Sequence, residues 1–135
     1  MTHRLYLSLG SNLGDRKKNL EDAISLINDS VGHVCRVSSF IETEPWGFKS
    51  EHSFLNAACM VETALTPEQC LNVTQEIERK LGRTTKSCGS YQDRIIDIDM
   101  LSYDDLCIDT PQLTLPHPRM HEREFVMIPL EEITH

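Results

Sequence analysis

Two acidic residues, Asp97 and Asp99, stand inside the apolar segment DRIIDIDML (93–101). Alternate residues of a strand point to the same side, so a strand here would place both carboxylates on one face and the apolar residues between them on the core face. Residues two apart on a strand lie about 6.6 Å apart at the backbone. Side chains at that spacing can reach two metal ions about 3.5–4 Å apart. Oxygen ligands without a nearby histidine pattern favour Mg²⁺ over zinc.

The same pair has a second interpretation, in which both carboxylates are solvated on the open face of a half-exposed sheet. Basic residues nearby favour the metal interpretation. They are Arg83, Lys86 and Arg94 upstream, and His117, Arg119, His121 and Arg123 in the segment PHPRMHER (116–123). Phosphoryl transfer from a Mg-nucleotide uses metals to neutralise phosphate charge and cations to stabilise the transition state. Each cation taken singly is more typical of a surface ion pair, whereas together they favour a nucleotide site.

Three aromatic residues, Trp46, Phe48 and Phe54, cluster around the segment 44–53, close to Asn56. Aromatic side chains beside a sheet usually belong to the core. A flat heteroaromatic ligand, however, is bound by rings that stack on it and by an amide that reads its edge. The pattern therefore leaves both a core cluster and a ligand pocket open.

Three further features are weaker indicators. Glu78 lies near the end of a predicted helix, either solvated or in contact with an adenosine. His117 is either a phosphate contact or a structural histidine. The segment GSNLG (10–14) lacks the Lys-Ser/Thr of a phosphate-binding P-loop, so it is interpreted as a turn and helix cap.

The elements that must position these residues follow from hydrophobic periodicity. Strands are predicted at 4–9, 31–43, 54–63 and 93–101, a short hairpin within 102–118 and a closing helix within 120–133. A first helix carries an apolar stripe from Leu20 to Ile27, and a second begins at the capping box TPEQ (66–69) and ends at Gly82. The order strand, helix, strand, strand, helix, strand predicts an α+β ferredoxin-like sandwich, a mainly antiparallel sheet with helices packed on one face.

Length, composition and charge limit the classes of protein to which this chain can belong. The chain has 135 residues, which predicts one domain over 1–135. A formal net charge of -8 argues against partners such as nucleic acid or an anionic membrane. The five dispersed cysteines, the absence of a signal-peptide pattern and the lack of a long apolar run predict a cytoplasmic chain with reduced thiols. We expect a monomer whose partners are small-molecule substrates.

Five blocks occur in the order LSLGSNLGDR, SSFIETEPWG, FLNAA, GR…DRIIDIDML and LPHPRMHEREFVMIPL. Together they closely resemble the hydroxymethyldihydropterin pyrophosphokinase family of folate biosynthesis, from about residue 5 to residue 132. The resemblance implies a Mg-dependent transfer of the terminal pyrophosphate of ATP to the hydroxymethyl group of a reduced pterin, with release of AMP. It also implies two Mg²⁺ ions held by Asp97 and Asp99, with ATP as the co-substrate.

The resemblance implies roles for particular residues. The pterin pocket would comprise Thr43, Glu44, Pro45, Trp46, Phe54, Asn56 and Phe125. Within it, Phe54 and Phe125 would sandwich the ring while Asn56 reads its polar edge. The ATP site would comprise Gln75, Glu78, Arg94, Thr114, His117 and Arg123, and Arg83 and Arg94 would contact the phosphates during catalysis. Three segments would remodel when ATP binds: the turn after the first strand, 44–53 and 83–93.

The basic segment departs from the family pattern. Many members carry a second arginine two residues after the G-R pair, where this chain has Thr85 followed by Lys86. Tyr91 stands close to the usual place of a tryptophan, in a segment that is one residue longer. Lys86 is the candidate for the missing positive charge, although a lysine cannot bind bidentately as an arginine does.

Rival functions remain open at this point. They are a ferredoxin-like binding module without catalysis, a relative that binds pterin or ATP without turnover, and a two-metal nuclease or nucleotidyltransferase. A binding module leaves the D-x-D pair and the basic segment unexplained. The negative net charge and small size fit poorly with a nuclease.

Overall fold

A computed structural model describes residues 2–43, 53–82 and 95–134. Its elements are β1 (His3–Ser11), α1 (Arg16–Ser30), β2 (Gly32–Val37), β3 (Ile41–Thr43), β4 (Phe54–Thr63), α2 (Pro67–Gly82), β5 (Asp97–Tyr103), β6 (Ile108–Asp109), β7 (Thr114–Leu115), a 3₁₀ turn (Met120–Glu122) and α3 (Glu124–Ile133). Outside the described residues lie the site predictions for Glu44, Pro45, Trp46, Arg83, Lys86, Tyr91 and Arg94 and for the side chain of Thr43.

The main sheet has the strand order β2–β4–β1–β5, and every pairing in it is antiparallel. The short strand β3 pairs with the beginning of β4, and β6 and β7 form a separate two-stranded sheet. Because β4 lies between β1 and β2, the first three elements form the split βαβ unit of a ferredoxin-like sandwich. The predicted fold class is confirmed.

Both faces of the sheet are covered. Helices α1 and α2 pack on one face, against residues such as Leu7, Ala57 and Val61. Helix α3 packs on the opposite face, where Met60 and Leu101 contact its apolar side. The prediction that helices share one face therefore holds for α1 and α2, and α3 is a layer on the other side. The unbroken apolar run in β4 fits this arrangement, since a strand buried on both faces loses its polar alternation.

The first residues of α1 and α2 have the capping hydrogen bonds that the sequence indicated. Thr66 Oγ1 accepts from Gln69 N at 3.2 Å, and Gln69 Oε1 accepts from Thr66 N at 2.9 Å, so the predicted capping box is present. The Asp15 carboxylate accepts from Lys18 N at 3.1 Å and caps α1. Within the described residues, no helix combines the length and apolarity that crossing a membrane requires.

Two predicted strands differ from the observed ones. The strand predicted over 31–43 is interrupted between β2 and β3, where Ser38 Oγ accepts from Ala58 N at 2.8 Å and takes the place of a backbone carbonyl. The strand predicted over 93–101 is observed from Asp97 to Tyr103. A register shift against β1 leaves Leu101 as an extra residue, which turns Tyr103 back into the α1–α2 core.

Candidate active site

The predicted ligand residues on the strands lie on the α3 face of the sheet. Across three adjacent strands, Asn56 of β4 is opposite Gly10 of β1, and Gly10 is opposite Asp97 of β5. The next row joins Ala58, Ser8 and Asp99 in the same way. Side chains of residues that pair directly across two antiparallel strands point to the same side of the sheet. The Asn56 amide and the carboxylates of Asp97 and Asp99 therefore share one face.

Gly10 is the middle of the first row and borders the predicted pterin residues. A Cβ atom at this position would lie 3.0 Å from Asn56 Oδ1 and 3.4 Å from Phe54 Cδ1. The interpretation of GSNLG (10–14) as a turn and helix cap is wrong for its first residues, because Gly10 and Ser11 belong to β1. A glycine at the end of an apolar strand was the signal that could have indicated a close approach.

The carboxylates of β5 are joined by a third from α2. Glu78 Oε2 accepts a hydrogen bond from Ile98 N at 2.7 Å, and the Glu78 side chain also hydrogen-bonds to Asp97. Burial, together with the nearby negative charges of Asp97 and Asp99, raises the pKa of Glu78 to about 8, and the hydrogen bond from Ile98 N opposes this shift. The interpretation of Glu78 as a solvated helix residue is wrong, and its predicted adenosine contact stays a prediction.

The segment PHPRMHER returns to the same edge of the sheet. His117 N donates to Leu101 O at 2.9 Å, and His117 Nδ1 accepts from Arg119 N at 3.2 Å. With Nδ1 as the acceptor, the neutral ring carries its proton on Nε2. Burial lowers the pKa of His117, the positive charges of Arg123 and Arg119 lower it further, and the negative charge of Asp97 opposes them. His117 is therefore a neutral hydrogen-bond donor within the field of Asp97.

Arg123 and Phe125 meet at the start of α3. The Arg123 guanidinium carbon lies 5.7 Å from the centroid of the Phe125 ring, a cation–π distance. The resemblance assigned Arg123 to the ATP site and Phe125 to the pterin pocket. Their contact brings one residue of each predicted site together.

An open groove of about 830 Å³ runs between α2 and the β6–β7 hairpin. Gln75 lines it together with Leu71, Ile108 and Leu113. Gln75 is about one helical turn before Glu78, so the two residues are neighbours on the surface of α2. Thr114 is in β7, half-buried and opposite Asp109.

The donor set suits one class of metal. Among the residues with described positions, no group of three or more His, Cys, Asp or Glu side chains could hold a metal ion by itself. Asp97 and Asp99 supply two half-buried carboxylates, and the third, Glu78, is bonded to Ile98. Mg²⁺ is usually bound by one or two carboxylates together with substrate phosphates and water. The pair therefore fits Mg²⁺ bound with a nucleotide.

A contact that the sequence did not indicate lies at the start of α1. Arg16 Nη1 is 2.7 Å from Glu42 Oε2 and donates to Ser53 O at 3.0 Å. Ser53 Oγ donates to Glu42 Oε2 at 2.9 Å. Arg16 thus joins the end region of β3 to the residue before β4. No local pattern signals a contact between residues so far apart in the chain.

Comparisons with known proteins identify related sequences. The family model described as 7,8-dihydro-6-hydroxymethylpterin-pyrophosphokinase (HPPK) matches residues 6–135. A 2-amino-4-hydroxy-6-hydroxymethyldihydropteridine pyrophosphokinase of Porphyromonas gingivalis is 50% identical over 131 residues, covering 96% of this chain and 89% of the relative. The protein of the same name from Bacillus subtilis is 42% identical, covering 98% and 79%.

Solved structures share the fold at low identity. The crystal structure of Plasmodium falciparum HPPK-DHPS wild type has a TM-score of 0.78 at 17% identity, covering 98% of this chain and 41% of that one. A structure titled HPPK-DHPS in complex with substrates has a TM-score of 0.76 at 15% identity, covering 98% and 40%. This chain spans about two fifths of those longer chains. At such identities the similarity shows the fold alone.

Proposed function

Because this chain belongs to the 7,8-dihydro-6-hydroxymethylpterin-pyrophosphokinase family, an enzyme family of folate biosynthesis, we propose that it transfers the terminal pyrophosphoryl group of ATP to a pterin. The acceptor is the hydroxymethyl group of 6-hydroxymethyl-7,8-dihydropterin. The products are AMP and the pterin diphosphate. The transfer depends on Mg²⁺.

The observation that carries the proposal is the row Asn56–Gly10–Asp97. Neighbouring strands are about 4.8 Å apart, so Asn56 and Asp97 are about 10 Å apart at the backbone on one face of the sheet. A bicyclic ring with a short hydroxymethyl arm spans a distance of that order. An amide at one end and carboxylates at the other therefore suit a pterin whose arm extends towards a Mg-nucleotide.

The pterin end uses one amide and two rings. The Asn56 amide offers both a donor and an acceptor, which suits the alternating polar edge of a pterin. Phe54 stands two residues earlier on the same side of β4, and Phe125 lies at the start of α3, so both can provide stacking surfaces. We also assign Thr43, Glu44, Pro45, Trp46 and Tyr91 to substrate binding on the basis of the resemblance.

The nucleotide end uses the other half of the site. Asp97 and Asp99 would hold Mg²⁺, which when bound neutralises phosphate charge and orients the polyphosphate. His117 Nε2–H and Arg123 would donate to phosphate oxygens, while Gln75, Glu78 and Thr114 would contact the rest of ATP. We assign transition-state charge stabilisation to Arg83 and Arg94, with Lys86 in place of a second arginine.

The chemical step is an in-line displacement. The pterin hydroxyl oxygen forms a bond to the β-phosphorus, the bond from that phosphorus to the α–β bridging oxygen breaks, and AMP leaves with the bridging oxygen. The hydroxyl proton passes to a carboxylate, for which Asp97 is the candidate because it shares the row of Asn56. Positioning and electrostatic stabilisation supply most of the rate acceleration in such reactions.

We expect the chain to act as a monomer. The expectations that it forms a single domain and that it is cytoplasmic also stay predictions.

Product analysis tests the proposal. Purified protein is incubated with ATP and Mg²⁺, with and without the reduced hydroxymethylpterin, and the nucleotides are separated by chromatography. AMP that forms only with the pterin is the expected result. ADP in place of AMP would mean an ordinary kinase. Tight binding of both ligands without turnover would mean a binding protein, and either outcome would overturn the proposal.

A further inference from the structure

Glycine at position 10 is not required by the backbone. Gly14 has a positive φ of 68°, whereas the φ of Gly10 lies outside the left-handed region. Gly10 lies within β1 and pairs with strands on both sides. An alanine could adopt the same conformation, and alanine is less costly than glycine in a strand interior. The reason for a glycine must therefore be space on the α3 face.

The space beside Gly10 is limited by Asn56. An added Cβ would lie 3.0 Å from Asn56 Oδ1, a distance at which the amide must move by a few tenths of an ångström. The side chain of Asn56 cannot swing into solvent, because the residue is only 2% exposed. The added carbon would also contact Phe54 Cδ1 at 3.4 Å, an ordinary van der Waals distance. The amide is thus the group that a side chain at position 10 would displace.

We infer that Gly10 is a positioning residue for pterin recognition: its lack of a side chain keeps the Asn56 amide in the orientation that reads the pterin edge. This inference rests on the proposed function. Gly10 itself does not contact the reacting atoms, because it acts through Asn56. The ATP end of the site is served by other residues, so the effect should be confined to the pterin.

The first test is the affinity of the Gly10→Ala variant for each substrate. Pterin binding is measured by titration calorimetry in the presence of Mg²⁺ and α,β-methylene ATP, whose α–β bridge cannot be cleaved. We expect the pterin Kd to rise about tenfold or more, because a displaced Asn56 amide would lose one or more well-placed hydrogen bonds to the pterin. The affinity for the ATP analogue should change less than about twofold. Unchanged pterin affinity, or an equal loss for both ligands, would overturn the inference.

A double-mutant cycle shows whether Gly10 acts through Asn56. In an Asn56→Ala background the crowded oxygen is absent, and the remaining neighbour of the added carbon is Phe54 at an ordinary distance. Gly10→Ala should then weaken pterin binding less than about twofold further. Additive losses from the two substitutions would overturn the inference. If Asn56→Ala alone left pterin binding unchanged, the pterin pocket of the proposed function would fail instead.

Gly14→Ala provides the control for general destabilisation. The space around Gly14 is open, with Asn19 Nδ2 at 3.8 Å, but its positive φ makes an alanine strained. This variant should lose stability and keep pterin affinity, whereas Gly10→Ala should keep most stability and lose affinity. The side-chain amide resonances of Asn56 supply a direct readout. They should shift in the Gly10→Ala protein and stay in place in the Gly14→Ala protein, and the reverse pattern would contradict the inference.

Discussion

The Glu78 carboxylate accepts a hydrogen bond from Ile98 N at 2.7 Å. Ile98 stands between Asp97 and Asp99 on β5, which is the edge strand of the main sheet. The bond therefore satisfies a backbone donor that an edge strand would otherwise leave to solvent. The same bond attaches the backbone of β5, which carries both candidate metal ligands, to α2. The helix therefore helps to set the direction in which the two carboxylates point.

The raised pKa of Glu78 predicts a pH-dependent stability. The pKa of Glu78 is about 8 in the folded protein, above its ordinary value of 4.5. The contribution of Glu78 to the free energy of unfolding is therefore complete below pH 4.5, falls as the pH rises above 4.5 and is lost by the time the pH has passed through 8. Glu78→Gln keeps an oxygen acceptor for Ile98 N and removes the titration. Relative to the variant, the parent should lose stability between pH 5 and 8 by on the order of 1 kcal/mol per pH unit. Urea unfolding with EDTA present measures this, and parallel pH profiles for the two proteins would contradict it.

The two carboxylates on β5 should be indispensable for turnover. Asp97→Asn and Asp99→Asn each preserve shape and remove a charge that Mg²⁺ requires, so kcat should fall at least about a hundredfold. Mn²⁺ binding with ATP, followed by electron paramagnetic resonance, should weaken in both variants. Asp105→Asn, at an exposed position after β5, is the matched control and should leave both quantities unchanged. Near-normal kcat in either site variant would refute the metal assignment.

The contacts of Arg16 predict an effect on the pterin and not on ATP. Arg16 bridges Glu42 and Ser53, and Ser53 directly precedes Phe54. The Arg16 guanidinium and the Ser53 hydroxyl also lower the pKa of Glu42. Arg16→Ala should raise the KM for the pterin several-fold and leave the KM for ATP within about twofold, while stability changes little because exposed ion pairs contribute little.

The comparison for Arg16 is Lys18→Ala. Lys18 forms an exposed ion pair with Asp22 at 3.0 Å on the same helix, so this variant also removes one cation and one pair. It should leave both KM values unchanged. If Arg16→Ala behaved like Lys18→Ala, or changed both KM values equally, Arg16 would have no specific role in positioning Phe54.

The capping box at α2 predicts a purely structural effect. Thr66→Ala removes the acceptor for Gln69 N and should lower the free energy of unfolding by about 1 kcal/mol. For a chain of this size that corresponds to a fall in Tm of about 3–5 °C. Calorimetry measures the change, and kcat at 25 °C should stay the same. A variant as stable as the parent would show that the cap contributes nothing.

Local patterns in the sequence predicted much of this molecule for identifiable reasons. The alternation around Asp97 and Asp99 placed both on one face, because strand periodicity depends only on neighbouring residues. The capping box at Thr66 was recognisable because both of its partners lie within four residues. The order strand, helix, strand, strand, helix, strand predicted the fold class, because each element was recognisable from its own hydrophobic periodicity.

Relationships that the sequence did not predict join distant parts of the chain. The Glu78–Ile98 bond links a helix to a strand twenty positions away. The position of Gly10 opposite Asn56 depends on strand register, which is set by the whole sheet. The break at Ser38 depends on a hydroxyl that replaces a backbone carbonyl, which strand periodicity does not reveal.

The most direct test of the account is whether a bound metal lies next to a bound pterin. Mn²⁺ replaces Mg²⁺ in the complex with α,β-methylene ATP and hydroxymethylpterin, and the line widths of the pterin hydroxymethyl protons are measured by NMR. The row Asn56–Gly10–Asp97 predicts strong paramagnetic broadening of these protons, which should disappear in the Asp97→Asn protein. Sharp hydroxymethyl resonances with pterin, nucleotide and Mn²⁺ all bound would contradict the proposed site.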